Sequence, residues 1–139
     1  MIILDTNVVS ALMRNPPDRE VLTLLDQRDP ESIWTTSITL FEIRSGIEHL
    51  RQSRRRSELE EAFRRAINQI FEGRLLSFDL EAAESAAILS ADRERRGEIV
   101  EMRDTMIAGI VISRRAEFAT RNVRHFSDLD TAVTNPWSL

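Results

Sequence analysis

Residues 1–10 read MIILDTNVVS. Ile2, Ile3 and Leu4 form a continuous apolar run that stops at Asp5 and gives way to the polar pair Thr6–Asn7. An apolar run with no alternation, bounded by polar residues, suits a strand covered on both faces, as in a parallel sheet. Residues 2–5 are therefore read as a first strand. A carboxylate closes that strand, which makes Asp5 the residue to explain.

The rest of the chain alternates in the same way. A short helix is expected next, ending near Asn15-Pro16-Pro17, and Asp18 is placed to cap a helix carrying Val21, Leu22, Leu24 and Leu25. Ile33-Trp34-Thr35-Thr36 is β-branched and aromatic, hence a second strand. Ser37 is the candidate N-cap of a helix bearing Ile38, Phe41, Ile43, Ile47 and Leu50. Leu59, Ala62, Phe63, Ala66, Ile67, Ile70 and Phe71 mark one stripe of an amphipathic helix over 58–71. Leu75-Leu76-Ser77-Phe78 reads as strand three, and Asp79 caps an alanine-rich helix reaching about Arg96, which Gly97 ends. Residues 105–115 are helical, 117–120 form a strand and 132–134 a short last one. No repeat, low-complexity tract or linker interrupts the series. Strands alternating with helices give a parallel sheet layered by helices: one α/β domain of α/β/α type over residues 1–139.

At 139 residues the chain is long enough to bury a core without staples. It has no cysteine, so disulfides and thiolate–zinc sites are excluded. No stretch approaches the ~18 apolar residues of a membrane span, and the start lacks the basic region of a signal peptide. A soluble cytoplasmic protein with no membrane partner is expected. All 19 basic residues are arginines. The missing lysine disfavours a P-loop site, a receiver domain and a haloacid-dehalogenase-type phosphatase. The net charge of −4 argues against coating nucleic acid by bulk attraction, though not against a local arginine patch.

Ligands of such a sheet gather beyond the carboxyl ends of its strands, where the strand order reverses. Asp5 lies at that edge, with capping of the following helix as the alternative role. Glu42 sits between Phe41 and Ile43, one turn into its helix, where a carboxylate is costly unless paired. It reads either as the partner of Arg44 or Arg121 or as an inward-facing metal ligand. Asp104 stands in VEMRDTMIAGIVIS (100–113), at the start of a helix in which Ile107, Ala108, Ile110 and Val111 are buried and Gly109 permits close packing. Capping is again the alternative, since the helix dipole favours a negative charge there. Asn122, in FATRNVRHF (118–126), follows the strand that ends near Thr120. Three acids and an amide thus converge on one edge. Gathered carboxylates raise one another's pKa and cost stability unless a cation offsets them. Oxygen donors without cysteine or a paired histidine motif favour a hard ion, magnesium or manganese. His49 and His125 are isolated and read as surface or packing residues.

These stretches resemble a known family. ILDTNVVSAL (3–12), SITLFEIRSGI (37–47), RLLSFD (74–79), RDTMIAGIVIS (103–113), ATRNVRHF (119–126) and the closing NPW (135–137) are similar to PIN-domain ribonucleases of the VapC/FitB-like type. These are the toxins of bacterial type II toxin–antitoxin modules. The resemblance implies a PIN fold with a mostly parallel sheet ordered 3-2-1-4-5, and an Mg2+- or Mn2+-dependent endoribonuclease acting on structured RNA. It carries Asp5, Glu42 and Asp104 over as the acidic, metal-holding site. Asn122 stands at the family's fourth acidic position, and Thr6, Ser37 and Thr120 are supporting groups behind the acids. Asn122 removes one charge, which counts against a full second metal site unless Asp128 or Asp130 substitutes. By the same analogy, water made more acidic by the metal attacks in line and leaves a 5′-phosphate and a 3′-hydroxyl.

For RNA binding, Arg121 and Arg124 lie nearest the expected site. Arg51, Arg54, Arg55, Arg56 and Arg93, Arg95, Arg96 form two further runs, read either as phosphate contacts or as solvated helix faces paired with neighbouring glutamates. The resemblance also implies a toxin homodimer and a cognate antitoxin with a DNA-binding domain. Its tail would lie along Leu59, Phe63, Ile67 and Phe71 with a basic residue directed at the acids. The other class of function is a weakly active PIN module, serving mainly as the antitoxin's partner in a DNA-bound autoregulatory complex.

Overall fold

A computed structural model describes residues 1–138. Five short strands, β1 (Ile2–Leu4), β2 (Ile33–Thr36), β3 (Leu75–Leu76), β4 (Glu117–Ala119) and β5 (Val133–Thr134), form one parallel sheet in the order 3-2-1-4-5. Six helices cover it: α1 (Thr6–Leu12), α2 (Arg19–Asp26), α3 (Ser37–Glu48), α4 (Arg54–Arg65), α5 (Leu80–Arg95) and α6 (Met102–Arg114). This is the expected three-layer α/β/α arrangement.

Strand β1 shows why its apolar run has no gaps. Successive side chains of a strand point to opposite faces. Ile2 and Leu4 enter a core with α1, α2, α3 and α4, through Val8, Leu24, Ile43 and Phe63. Ile3 enters the other core, with Ala82, Leu89, Ile107 and Phe118. Each such aliphatic side chain, removed from water, contributes roughly 1.5–3 kcal/mol. On the second face α5 and α6 pack very closely at Gly109. A Cβ there would stand 2.4 Å from the carbonyl oxygen of Ala82 and 2.7 Å from Cβ of Ala86.

Several local boundaries differ from the sequence reading, two of them for a capping reason; the third strand, read over 75–78, spans only Leu75–Leu76. The cap of α3 is Thr36 rather than Ser37, since Thr36 Oγ1 accepts from the backbone N–H of Thr39 at 3.1 Å. Helix α4 starts at Arg54, not Glu58: Ser53 caps it, and Arg54–Glu58 and Arg56–Glu60 pairs support its first turns. It ends in a π turn, Ala66–Ile70, in which the N–H of Phe71 reaches back to the carbonyl of Ala66. That extra residue directs Phe71 into the core. Phe41, counted on the apolar stripe of α3, is 57% exposed. The Arg93–Arg96 run divides, with Arg93 buried and Arg95 and Arg96 in exposed ion pairs. Arg54 is likewise in an exposed pair, whereas Arg56 is largely covered, bonded to Glu48, Glu60 and the Leu50 carbonyl, so the solvated-face alternative describes Arg54, Arg95 and Arg96. Among the described residues no helix is long and apolar enough to cross a membrane.

Candidate active site

Strand β1 lies between β2 and β4, so the segments leaving these three strands emerge side by side at the carboxyl edge. Asp5 leaves β1 and caps α1, with Oδ1 accepting from the Thr6 backbone N–H at 2.8 Å. Its second oxygen, Oδ2, accepts from Thr120 Oγ1 at 2.7 Å and from Asn7 Nδ2 at 3.4 Å. The capping role and the edge position are therefore both real, divided between two oxygens of one carboxylate. Asp5 is only 3% exposed. Burial pushes its carboxyl up to about 6; the Thr120 and Thr6 hydrogen bonds work against that, and the charges of Asp104 and Glu42 add to it.

Glu42 comes from the second turn of α3, and its Oε1 accepts from Thr6 Oγ1 at 2.8 Å. The same threonine oxygen stands 3.1 Å from Thr39 Oγ1. Neither suggested arginine pairs with Glu42 among the described residues. Arg44 is bound to Glu48, and the guanidinium of Arg121 lies 3.7 Å above the ring of Trp137. The cation facing Glu42 is Arg103, with Nη1 3.9 Å from Oε2.

Asp104 is not a cap. Helix α6 begins at Met102, and Glu101 accepts from the N–H groups of Arg103 at 2.8 Å and Asp104 at 3.3 Å. Asp104 is thereby left in the first turn with its carboxylate free for other partners. Its Oδ2 lies 3.2 Å from Nδ1 of His125. Beyond β4, the N–H of Asn122 donates to Thr120 Oγ1 at 3.0 Å, while its side chain is exposed. The N–H of Arg121 donates to Asn7 Oδ1 at 3.1 Å. Arg124 is exposed in the 3-10 turn Val123–Phe126 that follows.

Thr6, Thr39, Asn7, Thr120 and His125 thus tie the acids to the scaffold, whereas Ser37 is half-buried at the first position of α3. Asn7 was visible as the third residue of Asp-Thr-Asn. Thr39 carried only the signal of lying three residues before Glu42, on the same face of its helix. His125 carried none, because its contact joins two elements remote in sequence. Asp128, the first candidate to replace the fourth acid, has both oxygens bound by Arg93 at 2.9 Å. Asp130 lines a cleft with Glu117 and Ala132, at the start of β4 and just before β5, on the opposite edge.

Among the described residues no three histidine, aspartate or glutamate side chains are gathered as a ready-made cage. Each carboxylate is engaged by a neighbour of its own, yet Asp104 and Glu42 stand near enough to repel the charge of Asp5. Magnesium takes one or two carboxylates and keeps several waters, so this open, all-oxygen set fits such an ion.

Of the residues expected to hold a protein partner, Leu59 lines a groove of about 280 Å³ together with Met13, Ile43, Ile47 and Leu50, and Thr6 and Glu42 border it. Ile67 is half-buried against the core. Phe63 and Phe71 are buried within it and offer no free face: Phe63 lies on the inward side of α4, and the π turn rolls Phe71 inward.

The chain matches the PIN domain family over residues 2–132. It is 33% identical over 137 residues to the VapC ribonuclease Y4jK of Sinorhizobium fredii, covering 99% of this chain and 98% of that protein. It is also 33% identical to the toxin FitB of Neisseria gonorrhoeae, covering 99% of both. The structure of FitAB bound to an IR36 DNA fragment superposes with a TM-score of 0.87 at 33% identity, over 100% of this chain and 97% of that one.

Proposed function

The chain belongs to the PIN-domain family, and from that premise we propose that it is a toxin-type endoribonuclease that requires Mg2+ or Mn2+. The observation that carries this reading is Asp5: a buried carboxylate at the carboxyl edge of the central strand, raised by burial and by two acidic neighbours. Asp5 and Asp104 would hold the ion, with Glu42 completing the acidic set. When bound, such an ion supplies Lewis acidity toward a phosphoryl oxygen and lowers the pKa of water.

The protein's own part is positioning and proton handling. The Thr6 N–H and the Thr120 hydroxyl fix the two oxygens of Asp5, so the carboxylate presents one orientation. Thr6 Oγ1 occupies one oxygen of Glu42 and leaves Oε2 to orient the attacking water and accept its proton. Asn122, exposed and held at its backbone by Thr120, donates its amide to a phosphate oxygen or a water. Arg121, stacked on Trp137, and Arg124 supply the phosphate contacts that set the register of the RNA. Cleavage in line leaves a 5′-phosphate and a 3′-hydroxyl.

An antitoxin is the natural occupant of the groove at Leu59. Its apolar side chains would lie on Ile43, Ile47 and Leu50, and a basic residue would reach Glu42 at the rim. The antitoxin's DNA-binding part would bring a complex built on a toxin dimer to its promoter. Asn122, together with the loss of Asp128 to Arg93, keeps a second reading open: a weakly active partner in such a DNA-bound complex.

Cleavage of bulk cellular RNA separates the two. The antitoxin-free protein should cut in Mn2+ and stop in EDTA, and Asp5→Asn and Asp104→Asn should be inert. Undiminished rates in either variant would remove this mechanism, and an inert wild type would leave the binding-module reading.

A further inference from the structure

Arg93 is the one arginine in its run that leaves the surface. It lies on α5, 2% exposed, and the mechanism above does not use it. A buried guanidinium is costly unless its donors are satisfied. Here Nε and Nη2 grip both oxygens of Asp128 at 2.9 Å. The remaining contacts are less usual. Nη1 donates to Thr105 Oγ1 at 2.9 Å, and Nη2 donates to the backbone carbonyl of His125 at 2.8 Å. Thr105 is the residue after Asp104 on α6, and His125 is the residue whose ring meets Asp104.

The contacts close a circuit. It runs from Arg93 to Thr105, along the backbone to Asp104, across to the His125 ring, through His125 to its carbonyl, and back to Arg93. We propose that Arg93 is a positioning residue for the acidic site: it fixes the first turn of α6 against the turn Val123–Phe126 and so sets where Asp104 stands. Asp128 holds the guanidinium in place. The inference rests on the reading of Asp104 as a metal-holding acid and extends it to a group that touches neither metal nor RNA. Groups of this kind orient ligands from behind, and their loss typically weakens metal binding roughly 10- to 100-fold.

The test exploits Thr105, where hydroxyl and volume can be removed separately. Thr105→Val keeps the shape and loses the acceptor; Thr105→Ser keeps the acceptor and loses a methyl group. Mn2+ alone is titrated into each full-length protein by calorimetry, and RNA cleavage is followed at limiting and saturating Mn2+. Thr105→Val should bind Mn2+ roughly 10- to 100-fold more weakly. It should lose kcat at limiting Mn2+, regain it at saturation and keep its KM for RNA. Thr105→Ser should stay close to wild type, well short of that loss. Arg93→Lys retains the charge but cannot span Thr105 and the His125 carbonyl together, and it should read the same loss independently. Val-like behaviour in the serine variant would mean that packing, not the hydrogen bond, matters, and would overturn the inference. So would wild-type Mn2+ affinity in Thr105→Val or in folded Arg93→Lys. A wild type that binds no Mn2+ would bring down the metal reading itself and this inference with it.

Discussion

The two edges of the sheet treat their carboxylates in opposite ways. At the amino edge Glu117, the first residue of β4, is gripped by Arg28, which holds its carboxyl below the usual range, and Thr134 adds a hydrogen bond at 3.1 Å. At the carboxyl edge Asp5 is pushed up to about 6 and has two acids for neighbours. The first arrangement stabilises the fold. The second weakens it and makes sense as a place where charge is held ready for a cation.

The largest expected effect comes from breaking the carboxyl edge. Asp5→Asn should lower kcat for RNA by at least about a thousandfold, or ~4 kcal/mol of barrier. The same change should stabilise the protein in EDTA. The carboxyl of Asp5 rises from an ordinary 3.8 to about 6 on folding, so the native state holds more protons between those values. Stability from the protonated form is complete below about 3.8 and is lost as the pH rises through about 6. That difference corresponds to on the order of 3 kcal/mol. Urea midpoints in EDTA should show Asp5→Asn more stable than wild type at pH 8 and the advantage gone near pH 4. Equal midpoints at pH 8 would show that the edge is not under electrostatic load.

Restoring the balance should give the next effect. A divalent ion that binds only the folded state stabilises it by about 2.7 kcal/mol at a hundred times its dissociation constant. Mn2+ should therefore raise the Tm of wild type and leave that of Asp5→Asn unmoved, with calcium-free sodium chloride at matched ionic strength as the control. At the amino edge the sign reverses. Glu117 contributes stability above its ordinary pKa of 4.5, lost as the pH falls through its lowered folded value. Glu117→Gln should cost about 0.5–1 kcal/mol at pH 7 and leave cleavage untouched, which thermal melts and the RNA assay together would check.

This contrast was only partly legible in the sequence. The alternation of apolar runs and turn residues is local, and it carried the layers and each strand's place in the chain. Asp5, Thr120 and Asn122 were legible because strand ends are legible. Cap identities slipped where two candidates stood side by side, as at Thr36 and Ser37, or where an acid looked like its own cap, as at Asp104 beside Glu101. What no local pattern carries is pairing across distance. Arg93 has the sequence context of a solvated arginine and the structural context of a keystone, and the difference is made by Asp128, 35 residues away. The inward turn of Phe71 depends likewise on a π turn that helical periodicity does not encode.

The smallest effect should come from the rim, where the charge of Arg121 is aimed by a neighbouring ring. Its guanidinium lies on the ring of Trp137, and the indole N–H is anchored to Asp18 at 3.1 Å, so the C-terminal turn holds an exposed cation beside Asn122. Such a stack is worth about 0.5–1 kcal/mol at an exposed site. Trp137→Leu keeps an apolar side chain against the core but removes the platform, leaving the arginine to sample more orientations. KM for RNA should rise about two- to fivefold, the factor that energy supports, with kcat and Mn2+ affinity unchanged. A fall in kcat instead would tie Trp137 to the acids themselves. The rim would then belong to the electrostatically loaded edge rather than to the surface that merely receives the RNA.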